Sequence, residues 1–140
     1  MADLLLTFGF CWMIVAALLG LALGGGHIRH REALAAAARA GDLAGYNTRV
    51  DGFGARGTAH AHAFLWSVVC ILVALVLNRL PFGQWALNSL PLTMMGATVI
   101  WTGGAVIRST PIMAVADIVF FLLLIVVAGG LFAASFHFGA

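Results

Sequence analysis

Hydrophobic positions in this chain fall into four long, unbroken runs: Leu4–Gly24, Ala59–Leu77, Leu90–Ile107 and Ile112–Ala134. At 1.5 Å of rise per residue, a helix of about twenty residues crosses the ~30 Å hydrocarbon core of a bilayer. The runs are continuous rather than alternating, which predicts spanning helices and not the short strands of a membrane barrel. Breaks in the pattern separate them: Gly24-Gly25-Gly26, Leu80-Pro81-Phe82-Gly83 and Ser109-Thr110-Pro111. All three prolines are expected near helix boundaries, where a missing backbone donor costs least. The pattern therefore predicts an all-α, integral membrane four-helix bundle, with residues 1–140 forming a single domain.

Polar positions concentrate in one place, Gly25–Thr58. Within it the alanine-rich stretch Glu32–Gly41 predicts a short juxtamembrane helix, and Gly45-Tyr46-Asn47 and Asp51-Gly52-Phe53-Gly54 predict loop. Arg29, Arg31, Arg39, Arg49 and Arg56 all fall in this segment, Arg108 falls in the third connection, and Arg79 alone falls in the second. By the positive-inside rule the segment 25–58 and the third connection face the cytoplasm and both termini face outward. Trp85 then stands in the outer connection, at interface depth. The expected location is the bacterial inner membrane.

Composition strengthens this reading. Of 140 residues 63% are hydrophobic and 9% charged, and the mean hydropathy is +1.07. A soluble domain carries roughly 25% charged residues to coat its surface, so lipid must solvate most of this one. Net charge is +2 and there is no lysine, which leaves no nucleic-acid footprint. The first run lacks the basic leader of a signal peptide, beginning Met1-Ala2-Asp3 with no arginine before Arg29, and is expected to be a mature span. Cys11 and Cys70 lie inside apolar runs and are expected to be small buried hydrophobes rather than a disulfide or redox pair. Small residues at packing intervals, Gly20/Gly24, Gly103-Gly104 and Gly129-Gly130, are expected to let helices approach closely.

Candidate chemistry is sparse. His60 and His62, in Ala59-His60-Ala61-His62, open the second run; an imidazole beside hydrocarbon is costly unless paired, solvated or bound to a metal. Residues two apart on a helix point about 200° apart, so these two cannot share one metal ion. Metal or haem ligation by one of them stands beside a plain interfacial role. Asp117 lies several residues into the fourth run; it is either a functional acid or a carboxylate meeting the helix N-terminus. His27 and His30 with Glu32 have i, i+3 spacing suited to a metal or to ordinary juxtamembrane polarity, and His137 is a weaker candidate of the same sort. Trp12, Trp66 and Trp101 are expected to pack, and Thr98 and Thr102 to bond to their own helix. There is no phosphate-binding glycine loop, Ser/His/Asp arrangement or Cys/His zinc spacing.

With His60 and Asp117 in place, the chain resembles the styrene-oxide isomerase family of membrane haem proteins. An Ala-His pair opens that family's second span as Ala59-His60 does here, and the following connection ends similarly at Leu80-Pro81-Phe82. Trp101-Thr102 partly echoes the family's Asp-Gly-Trp stretch, and Ala116-Asp117-Ile118-Val119-Phe120 is similar to the start of its fourth span. The resemblance implies a homotrimer holding haem b near subunit interfaces. His60 would be the axial ligand, with His62 replacing it if the register slips by two, and Arg56 would stand near the propionates. Ferric iron would act as Lewis acid on a small hydrophobic epoxide, giving an aldehyde by a hydride shift. Two departures go against the implied activity. The family's asparagine falls at Trp66 counting from His60, or at Val68 counting from His62, and its third-span tyrosine falls at Ala105 (or at Ile107 if the tryptophans are aligned). Trp66, Trp101, Thr102 and Ala105 are thus the expected pocket lining. The alternatives are a non-catalytic haem protein for electron transfer or sensing, and a cofactor-free accessory membrane subunit.

Overall fold

Each apolar run nucleates a helix, and in the computed structural model, which describes residues 1–137, there are four of them. They are α1 (Ala2–Arg39), α2 (Leu43–Val76), α3 (Gln84–Val106) and α4 (Thr110–His137). The side chain of His137 lies outside the described residues. The helices run antiparallel in chain order, α1 packing mainly on α2 and α3 on α4, with α2 against α3 joining the two pairs. Both chain ends and the connection after α2 therefore lie at one end of the bundle. The α1–α2 turn and the α3–α4 connection lie at the other, together with every arginine except Arg79.

Helices α1, α2 (with the 3₁₀ turn Leu77–Arg79 that continues it) and α4 are long and apolar enough to cross a membrane. Helix α3 has 23 residues and no charged side chain, but Thr, Gly and Trp dilute its hydropathy. The polar side chains in its second half are buried among its neighbours: Thr98, Trp101 and Thr102 are 0%, 2% and 8% exposed. The outer surface is the apolar one. Leu21 (72% exposed), Phe121 (64%) and Ile118 (60%) point away from the bundle, an arrangement that water would penalise and acyl chains favour. The chain is an all-α integral membrane protein.

The expected polar loop is where sequence and structure part. Segment 25–58 is not loop: α1 continues unbroken through Gly24-Gly25-Gly26 to Arg39, and α2 begins at Leu43. At 38 and 34 residues, α1 and α2 are about 57 and 51 Å long by the standard rise, so a helical hairpin projects well beyond a ~30 Å core. The glycines are passed through because strong helix formers flank them and α2 packs alongside. The reversal comes instead at Ala40-Gly41-Asp42. Gly41 takes φ +68; its N–H bonds to Ala38 O at 3.2 Å, and that of Asp42 to Ala37 O at 3.0 Å. This is a Schellman ending, whose left-handed residue is normally glycine. Asp42 then caps α2 by accepting from Gly45 N–H at 2.9 Å.

Two further boundaries shift. Helix α3 starts six residues before Leu90, which places Pro91 inside the helix and fully buried rather than at its edge. Of the paired glycines, one member of each makes the close approach. Gly20 meets His60, Gly104 meets Ile112 and Met113, and Gly130 meets Phe82 and Leu80, while Gly24, Gly103 and Gly129 face open space.

Candidate functional site

His60 and His62 lie on opposite sides of α2, as their spacing requires. The His60 ring leans across α1 at Gly20, where a Cβ would come within 2.7 Å of Cε1. Its Nδ1 lies 2.8 Å from Ala16 O. A carbonyl can only accept, so Nδ1 carries the proton and donates, which leaves the Nε2 lone pair available. An imidazole whose Nδ1–H is held by a backbone carbonyl is how proteins set a histidine to ligate through Nε2.

His62 instead turns toward α3. Its Nδ1 lies 3.1 Å from Thr58 O, one turn back on its own helix. Its ring stacks on Trp101 at 4.3 Å, 11° from parallel. Trp101 tilts against Trp66 at 5.7 Å, and Trp66 stacks on Phe120 at 4.1 Å. The four rings form a ladder that fills the space between α2, α3 and α4. Trp66 and Trp101 are 5% and 2% exposed, and the buried Trp101 Nε1–H has no acceptor among the described residues.

The expected pocket lining is thus distributed rather than gathered. Trp66 and Asp117 share a shallow apolar groove of about 420 Å³ between α2 and α4, walled by Leu65, Val69, Phe121 and Leu124. Ala105 and Arg56 share a second cleft of about 390 Å³, between α1, α2 and the end of α3. Trp101 and Thr102 line neither. The hydroxyls near the ladder are committed to their own helices: Ser67 donates to Ala63 O at 2.6 Å, Thr98 to Met94 O at 2.9 Å and Thr102 to Thr98 O at 3.0 Å.

Asp117 can now be placed. No acid lies in the first turn of α4; Asp117 comes seven residues after the helix starts, beyond the reach of its N-terminal dipole. It is exposed on the lateral face, at the edge of the apolar groove. His27 and His30 do not pair around a metal. Both lean on Phe53, His30 stacked at 4.2 Å and His27 tilted at 5.9 Å. Among the described residues no three His, Cys, Asp or Glu side chains gather as a metal site; both cysteines are free, Cys70 buried as expected but Cys11 exposed, on a face of α1 that its neighbours do not cover.

For haem, the donor chemistry of His60 fits a single axial ligand. The space is less complete, since His60 lines neither cavity and the aromatic ladder occupies the interior. The fold brings Arg108, Gly52, Gly20 and Phe120 against the candidates; the sequence marked Gly20 only as a packing position, Gly52 only as part of a turn signal and Phe120 only within the fourth-span match. Arg108 figured only as a charge for orientation.

In comparisons with known proteins, the chain matches no protein-family model, no curated protein sequence and no solved structure. The resemblance to styrene-oxide isomerases accordingly rests on the residues that carry it, of which His60 and Asp117 are the chemical ones.

Proposed function

We propose that this chain is a membrane haem b protein with His60 as the axial iron ligand. The observation that carries the reading is the Nδ1–H···O=C bond from His60 to Ala16 at 2.8 Å, which fixes the ring and frees Nε2. The rest of the haem envelope comes from a second copy of the chain, in a homo-oligomer that the family resemblance makes a trimer. Asp117, an acid on a lateral face that otherwise meets lipid, marks a surface that such a copy covers. The arginine-rich end, including the helical hairpin, faces the cytoplasm of a bacterial inner membrane and the termini face outward.

Ferric haem supplies Lewis acidity, the chemistry by which the resembled family isomerises small hydrophobic epoxides to aldehydes. What this chain places around His60 is the α1 backbone at Ala16 and Gly20, two residues that carry no polar side chain. An isomerase of this kind selects its substrate by fit rather than by hydrogen bonds. The test is haem content in protein purified from haem-replete cells, followed by incubation with aryl and alkyl epoxides and assay for aldehyde. One haem per chain and aldehyde formation support the full reading; haem without aldehyde across the panel leaves the non-catalytic haem protein. Haem-free protein overturns both.

One observation favours a second reading, a cofactor-free accessory subunit. The bond to Ala16 O also ties α2 to α1, and such interhelical bonds have packing value of their own in a bilayer.

A further inference from the structure

The cleft between α1, α2 and the end of α3 has an apolar floor and a cationic end. Leu19, Leu23 and Val106 wall the floor, while His30, Arg56 and Arg108 line the other side. No carboxylate lines it, and the acids nearest in sequence, Glu32 and Asp51, are both exposed.

Both guanidiniums are seated on one residue, Gly52. The Arg56 Nε–H donates to Gly52 O at 3.1 Å, which leaves its terminal nitrogens free to turn to the cleft. Arg108 Nη2 rests over the Gly52 Cα, where a Cβ would stand 2.9 Å from it. Gly52 is buried, and its missing side chain lets the Arg108 guanidinium lie this close to the α2 backbone.

Arg108 is also held in an unusual backbone conformation. It ends α3 in a Schellman motif like that of Gly41, with its N–H to Ala105 O at 3.3 Å and the Ser109 N–H to Gly104 O at 2.8 Å. Here, however, the left-handed position, φ 58, is occupied by arginine. A long side chain in that conformation costs about 1 kcal/mol or more relative to glycine. The α1–α2 turn shows that the chain uses glycine where only the turn matters. At the second turn it accepts strain and sets two like charges beside one another.

The position of the cleft points to its occupant. It lies where the apolar part of α1 gives way to the arginine-rich hairpin, which is headgroup depth. Ala22 and Val106, both exposed, carry the apolar side of the cleft out to the lipid-facing surface. We propose that this cleft binds an anionic phospholipid from the surrounding leaflet. Its phosphate sits between Arg56 and Arg108, and the start of an acyl chain lies along Leu19, Leu23 and Val106. Guanidiniums suit phosphate because their paired N–H groups match its oxygens. The proposal does not depend on His60 or on haem.

The test uses the whole protein, delipidated by detergent exchange and titrated in native mass spectrometry with phosphatidylglycerol, phosphatidylcholine or oleate. Wild type binds phosphatidylglycerol saturably and about tenfold more tightly than phosphatidylcholine. Arg108→Gly binds it about tenfold less tightly, the loss expected for one charge-assisted hydrogen bond. Because glycine suits the left-handed turn, this variant unfolds no more easily than wild type. Arg56→Gln shows the same loss with the turn intact, and His60→Ala keeps full binding. Equal affinity for both phospholipids, wild-type affinity in both arginine variants, or preference for oleate overturns the proposal. So does a loss of haem in Arg108→Gly with lipid binding unchanged, which would make the cleft a propionate seat.

Discussion

Gly20→Ala probes the contact on which the site depends. The added methyl would stand 2.7, 3.1 and 3.2 Å from Cε1, Nδ1 and Nε2 of His60, so the ring must move and its 2.8 Å bond to Ala16 O is lost. Losing that bond costs about 1 kcal/mol, and crowding a packed seam costs about 1–3 kcal/mol more. Against this, alanine is favoured over glycine inside a helix by about 0.8–1 kcal/mol. The net expectation is destabilisation by about 1–3 kcal/mol. In a His60→Ala background both penalties vanish while the helix gain remains, so the same change becomes neutral or stabilising. The coupling between the two positions is then the sum of the two penalties, about 2–4 kcal/mol, at or above the upper part of the ~0.5–3 kcal/mol range for residues in direct contact. The assay is a double-mutant cycle on haem-free protein in micelles, unfolded with SDS and followed by helical circular dichroism. Additivity to within about 0.5 kcal/mol would refute the account, because it would mean that His60 does not lean on Gly20.

Two other changes test the neighbouring parts. Trp66→Ala removes the middle of the aromatic ladder, stacked on Phe120 at 4.1 Å, and should destabilise by about 3–5 kcal/mol in the same SDS titration; a change below about 1 kcal/mol would show that the ladder is not a packed core. Asp117→Asn should shift the protein toward monomer in cross-linking or native mass spectrometry if the lateral acid is covered by a second copy. An unchanged oligomer distribution would remove Asp117 from the interface.

Much of the fold was legible because lipid imposes a simple rule. Leu4–Gly24 and Ile112–Ala134 must be helices when every backbone group has to be satisfied without water. The helical hairpin was not legible. Triple glycine and Asp51-Gly52-Phe53-Gly54 are ordinary turn signals, and packing of α1 along α2 overrides them. Gly41 was the true stop, and the alanine-rich stretch before it had been expected to end there. At the site, the opposed directions of His60 and His62 follow from helix geometry alone. The identity of their neighbours does not, because Gly20 is forty residues from His60 and Trp101 thirty-nine from His62. Arg108 was hidden for a different reason. A left-handed arginine is set by the fold around it, and residue type argues against that conformation.

The account turns on whether His60 ligates iron. The most direct measurement is the absorption spectrum of detergent-solubilised wild type, His60→Ala and His62→Ala, purified identically from haem-replete cells. The account predicts a haem band in wild type, its retention in His62→Ala, where the stack on Trp101 and the bond to Thr58 O are lost, and its disappearance in His60→Ala. A colourless wild type, or a band that survives in His60→Ala and vanishes in His62→Ala, would contradict it.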